Sequence, residues 1–144
     1  MTALPAGAAA VSPKPIGTTF AFPDTGGTSV QVTLLKVEND APPKGRYKGL
    51  VGKRPVVGLE FRLRNVNAKP ASLALFSTVL YYGRSVASLT GSAGATTLGP
   101  SLNLKGTMSS GSQREGWITT QGYNKTLQKI QTTLDGTSTG SWKP

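Results

Sequence analysis

Six residues, Asp24, Glu38, Asp40, Glu60, Glu115 and Asp135, supply all the side-chain carboxylates of this 144-residue chain, which has no histidine and no cysteine. Chemistry near neutral pH draws mostly on imidazole, which titrates there, and on thiolate nucleophiles. Zinc and the later transition metals favour those same two ligand types. Carboxylate pairs can hydrolyse glycosides unaided, so two of the six would have to converge for that reaction. Glu60 shares a strand face with Arg62 and Arg64, which makes an exposed ion pair the simpler expectation. Asp24 and Asp135 precede glycine-containing turns, where Asp commonly bonds its own backbone. Glu38 and Asp40 together supply fewer oxygens than a calcium ion needs. Ser12 with Lys14 and Ser101 with Lys105 fall in loop-like segments, where chance spacing accounts for them. Gly45, Gly49 and Gly52 lack the strand-to-helix setting of a phosphate loop, and no Gly-Lys-Ser/Thr follows. The chain is therefore expected to be no enzyme, with no catalytic residue, no metal and no cofactor.

The basic residues carry a sharper signal. Sixteen lysines and arginines give the chain a net charge of +10. Lys44, Arg46, Lys48, Lys53 and Arg54 crowd a short stretch that also holds Tyr47, and these six form the candidate partner-binding set. Such a loop can grip phosphates or an acidic protein surface, and the alternative is a solvated loop that keeps the protein soluble. Nucleic acid is disfavoured, because single-strand binders add exposed stacking aromatics. Here Phe61 and Phe76 alternate inward, leaving Tyr47, Tyr81, Tyr82 and Tyr123 as outer candidates. The expected partner is an acidic protein surface such as a capsid lattice, or an anionic envelope polymer, with self-association open. No apolar run approaches the ~18 residues of a membrane-spanning helix.

The elements that must position these groups read as strands. Charged residues make up 15% of the chain, below the usual ~25%, and eighteen glycines mark many turns. Val30, Val32 and Leu34 alternate with Gln31 and Thr33 up to about Val37. From Val56 to Asn65 the alternation is cleanest, with Val57, Leu59, Phe61 and Leu63 on one face and Glu60, Arg62 and Arg64 on the other. Thr18–Phe22 reads as an edge strand, and Asn65–Pro70 as a turn. Ser72–Tyr82 is a longer run of ambiguous period whose β-branched and aromatic content favours strands, with a bulge as one option, followed by a tight turn at Gly83-Arg84 and a return strand to Thr90. Gly91–Gly111 is mostly loop. Gln113–Gln121, Thr126–Leu134 and a terminal strand around Trp142 complete the set, and both Trp117 and Trp142 are expected to pack in the core or at its rim. No helical apolar stripe is present, so the pattern predicts an all-β, antiparallel sandwich of about seven or eight strands. Residues 1–16 form an extended Ala/Pro-rich arm and residues 17–144 the sandwich.

Landmarks then fall in a recognisable order. Gly52-Lys53-Arg54-Pro55-Val56-Val57 opens a strand ending in Arg64-Asn65, and Asn67-Ala68-Lys69-Pro70 follows. Next come Tyr81-Tyr82-Gly83-Arg84, then Gly111-Ser112-Gln113-Arg114-Glu115-Gly116-Trp117-Ile118, an Ile130 strand and a closing Ser141-Trp142. This order resembles the immunoglobulin-like domain of unknown function in secreted proteins and lipoproteins of Gram-positive bacteria. It is similar in plan to the mycobacterial secreted immunoprotective antigens. The resemblance spans roughly residues 16–143 and implies an immunoglobulin-like β-sandwich; its motifs are turns and imply no activity. Ala8-Ala9-Ala10 looks like a signal-peptidase site, but Pro5 and Gly7 break any apolar core and no basic residues precede it. The start is read as a native arm, with replacement of an export leader as the alternative. The functional expectation is a virion accessory protein, of the head-decoration or minor capsid type, from an actinobacterial phage and located on the virion surface. The alternative is a secreted or cell-envelope immunoglobulin-like binding domain, and a nucleic-acid binder ranks third.

Overall fold

A computed structural model describes residues 12–23, 29–38, 56–73, 76–90, 99–121, 123, 125–134 and 139–144, and among these it is all-β. In chain order the strands are β1 (Lys14–Pro15), β2 (Thr19–Pro23), β3 (Ser29–Glu38), β4 (Val56–Asn65), β5 (Ala71–Ser72) and β6 (Ser77–Tyr82). They continue with β7 (Ser85–Thr90), β8 (Thr107–Met108), β9 (Gln113–Gln121), β10 (Lys129–Thr133) and β11 (Thr139–Lys143). One sheet runs β1-β11-β10-β6-β7, a second runs β2-β3-β4-β9, and β5 pairs with β8 in a small third ladder. All pairings between these strands are antiparallel except β1 on β11, where Lys14 stands beside Trp142. The last residues of the expected arm thus run beside the sheet as an edge strand.

The two main sheets bury a common core. Val57, Leu59, Phe61 and Leu63 of β4 are at most 1% exposed, as their alternation predicts. Each such side chain contributes on the order of 2 kcal/mol by leaving water. Trp142 lies at the centre, with the rings of Phe20 and Phe61 at 5.0 and 5.8 Å in edge-on contact. Its indole N–H, which burial would otherwise orphan, donates to the Thr18 carbonyl at 2.8 Å. Gly140 lies beside it because a Cβ there would stand 2.9 Å from the Phe22 ring.

Two expectations change in the folded chain and a third is resolved. The ambiguous run from Ser72 to Tyr82 divides between two sheets: β5 joins the small ladder with β8, whereas β6 enters the five-stranded sheet. Tyr82 is buried and not outward-facing, because Thr78, Leu80 and Tyr82 are the inward positions of β6. The strand expected over Thr126–Leu134 narrows to Lys129–Thr133. Just before it, Gln128 N donates to the Tyr81 carbonyl and its side chain accepts from Gly83 N, clamping the β6–β7 hairpin. That hairpin turns at Gly83 with φ +71°, the backbone region where glycine meets no Cβ penalty.

Two further residues fix the edges. Asn65, fully buried at the end of β4, donates its Nδ2 to the carbonyls of Lys69, Met108 and Ser109 at 2.9, 3.0 and 3.3 Å. Its Oδ1 accepts from Asn67 N at 3.0 Å. One amide thereby holds both the turn after β4 and the approach to β9. At β9 the segment 100–102 lies alongside as a parallel neighbour: Trp117 N donates to the Pro100 carbonyl and Leu102 N to the Trp117 carbonyl. This approach requires Gly116, since a Cβ there would sit 2.6 Å from Leu102 N.

Candidate functional site

Lys44, Arg46, Tyr47, Lys48, Lys53 and Arg54, the basic partner-binding candidates, lie outside the described residues. So do Asp24, Asp40 and Asp135. The functional surface that can be built residue by residue is the outer face of the four-stranded sheet.

On β4, the face opposite Val57, Leu59, Phe61 and Leu63 carries Glu60, Arg62 and Arg64. Strand register supplies their neighbours. Gln31 of β3 and Gln113 of β9 flank Arg64 directly on either side. The next row reads Thr19, Thr33, Arg62 and Glu115 across β2, β3, β4 and β9. Directly opposed residues on one sheet face have Cβ atoms about 5 Å apart. Together Thr19, Gln31, Thr33, Arg62, Arg64 and Gln113 line an open cleft of about 220 Å³. Every lining side chain is polar.

The two arginines differ in state. Arg62 Nε donates to Glu115 Oε2 at 3.0 Å, with both side chains more than two-fifths exposed. Among the described residues the ion pair on this face joins Arg62 to Glu115, its direct cross-strand neighbour on β9, and does not involve Glu60. Arg64 has no carboxylate partner among the described residues. Its planar fork of five N–H donors is presented to solvent between two carboxamides. Beside them the hydroxyls of Thr19 and Thr33 hydrogen-bond each other at 2.6 Å. The cleft thus offers a guanidinium, two amides and a hydroxyl pair. It can hold an oxyanion with adjoining hydroxyl groups.

Glu60 and Glu115 share the outer face, yet neither lines the cleft. No group of three metal-ligating side chains occurs among the described residues.

Other polar and aromatic groups are occupied in holding the fold. Arg114 gathers the carbonyls of Asn103, Lys105 and Thr107 at 2.9–3.0 Å, shaping the loop before β9. A second cleft, of about 420 Å³, is lined by Tyr82, Tyr123, Lys125, Thr126, Leu127 and Pro144. Its members brace the β7 edge: Lys125 Nζ bonds Ser85 Oγ at 3.0 Å, and the Tyr82 and Tyr123 rings meet edge-on at 5.5 Å. Lys129 Nζ sits 4.3 Å above the Tyr81 ring. Trp117 is 9% exposed and lies on the same sheet face as Glu60, outside the main core that holds Trp142.

Two packed sheets, antiparallel apart from the β1 edge, define an immunoglobulin-like β-sandwich. Among solved structures the chain is similar to that of MPT63, a secreted protein from Mycobacterium tuberculosis, with a TM-score of 0.60 and 13% sequence identity over 94% of this chain and 100% of that one. The likeness is one of fold. No known family profile matches the sequence, and no curated protein matches it.

Proposed function

We propose that the chain is a secreted or cell-envelope immunoglobulin-like binding module without catalytic activity, whose partner is anionic. The observation that carries this reading is Arg64, an exposed guanidinium with no carboxylate partner among the described residues, set between Gln31 and Gln113 on a strand face. Net charge of +10 favours an acidic partner over a neutral one. The fold likeness to a secreted protein supports the location. The virion-accessory reading draws on the cysteine-free sandwich, the basic charge and the Ala/Pro-rich first residues, none of which points to a virion over an envelope, and the likeness to a secreted protein favours the present reading. Self-association is compatible with either reading.

Fractionation of the source organism tests this choice. Native protein recovered from culture medium or the cell envelope supports the proposal. Stoichiometric copies in purified virus particles would reject it in favour of a capsid role. Turnover of a substrate, lost on neutralising Glu60 or Glu115, would reject the non-catalytic part.

A further inference from the structure

We infer that the cleft on the four-stranded sheet is a binding site for a carboxylate-bearing saccharide, with Arg64 holding the carboxylate and Gln31, Gln113 and Thr19 the hydroxyls around it. The inference rests on the binding-module reading and adds to it the site and the ligand class.

The chemistry of the lining selects the ligand. A guanidinium fork matches the two oxygens of a carboxylate and holds them through parallel hydrogen bonds. The carboxamides of Gln31 and Gln113, flanking Arg64, each offer two donors and an acceptor. Sugar hydroxyls both donate and accept, so they can satisfy such groups at either end. The Thr19 and Thr33 hydroxyls, 2.6 Å apart, extend the same pattern by one strand.

An extended acidic peptide fits less well. Peptides that dock on sheets pair with a free edge through their backbone. Here β3 and β4 are interior strands whose backbone groups are taken by their neighbours, so side chains alone can recognise a ligand. No lining residue is apolar, which leaves peptide side chains without a pocket.

Calorimetric titration of the full chain with polygalacturonate at low salt tests the inference, with dextran and poly-glutamate as comparison polymers. Wild-type protein should bind polygalacturonate, bind dextran at least about tenfold more weakly, and lose affinity as salt shortens the screening length. Arg64→Gln should weaken binding by about tenfold or more, as expected for a lost charge-assisted contact. Arg64→Lys should recover only part of it, because an ammonium lacks the fork. Arg84→Gln, the same charge change on the other sheet's hairpin, should leave affinity unchanged. Both arginines are exposed, and unchanged thermal midpoints would show that the variants fold.

Full affinity in Arg64→Gln would overturn the inference and leave the binding-module reading in place with its site elsewhere. Poly-glutamate binding as tightly as polygalacturonate would overturn the saccharide assignment, again leaving that reading in place. Failure of the wild type to bind either anionic polymer would overturn both.

Discussion

Replacing Asn65 should unfasten the end of the sheet that carries the polar cleft. Its carboxamide makes four contacts between 2.9 and 3.3 Å, three of them from Nδ2 to carbonyls of Lys69, Met108 and Ser109. Nδ2 has only two hydrogens, so three full bonds is a fair count. At about 1 kcal/mol net each, Asn65→Ala should destabilise the fold by about 3 kcal/mol. That corresponds to a fall of about 10 °C in the thermal midpoint for a domain of this size. Asn65→Asp should cost more at neutral pH, because it turns a negative oxygen toward three carbonyls in a buried site. The sign of its pH dependence follows. The introduced carboxyl binds its proton more tightly in the folded than in the unfolded chain. The extra cost is therefore absent below the unfolded carboxyl range near 4 and grows as pH rises above it. Urea unfolding followed by tryptophan fluorescence measures both variants, provided the slope with denaturant is unchanged. An Asn65→Ala variant within 0.5 kcal/mol of wild type, on the order of an ordinary surface change, would refute the reasoning. So would an Asn65→Asp variant as stable at pH 7 as at pH 4.

Three further outcomes follow from the packing. Gly116→Ala places a methyl 2.6–2.8 Å from backbone atoms of Ser101 and Leu102, and should cost about 2 kcal/mol or more while red-shifting Trp117 emission. Thr132→Val should stabilise the protein by about 1 kcal/mol in the same urea assay, because the Thr132 hydroxyl is buried without a hydrogen-bond partner. Glu115→Gln should change stability by less than about 0.5 kcal/mol, since its ion pair with Arg62 is exposed.

The sequence made the strands legible where burial is one-sided. Val57 to Leu63 and Val30 to Leu34 alternate because one face meets the core, and the structure buries those residues. It was less explicit where the chain changes partners. Between Leu34 and Lys36 the register with β4 slips by a residue, where the adjacent Leu34-Leu35 breaks the alternation and Val37 resumes it out of phase. The run from Ser72 to Tyr82 has no clean period because Ser72 ends β5 in the small ladder, whereas β6 alternates buried and half-buried positions in the five-stranded sheet. The cleft was half visible: the outward positions of β4 named Arg62 and Arg64. Gln31 and Gln113 come from strands whose neighbours are set by long-range pairing, and Glu115 lies 53 residues from the arginine it binds. Their outward alternation was readable on each strand alone, but adjacency required the strand order. Trp117 and Trp142 were paired as packing residues, yet only Trp142 enters the main core.

The most direct test of the account is an amide chemical-shift map of the folded protein titrated with polygalacturonate. The account predicts that shifts concentrate at Thr19, Gln31, Thr33, Arg62, Arg64 and Gln113, on the open face of one sheet. Shifts confined to the opposite sheet, around Tyr81 and Lys129, would contradict it.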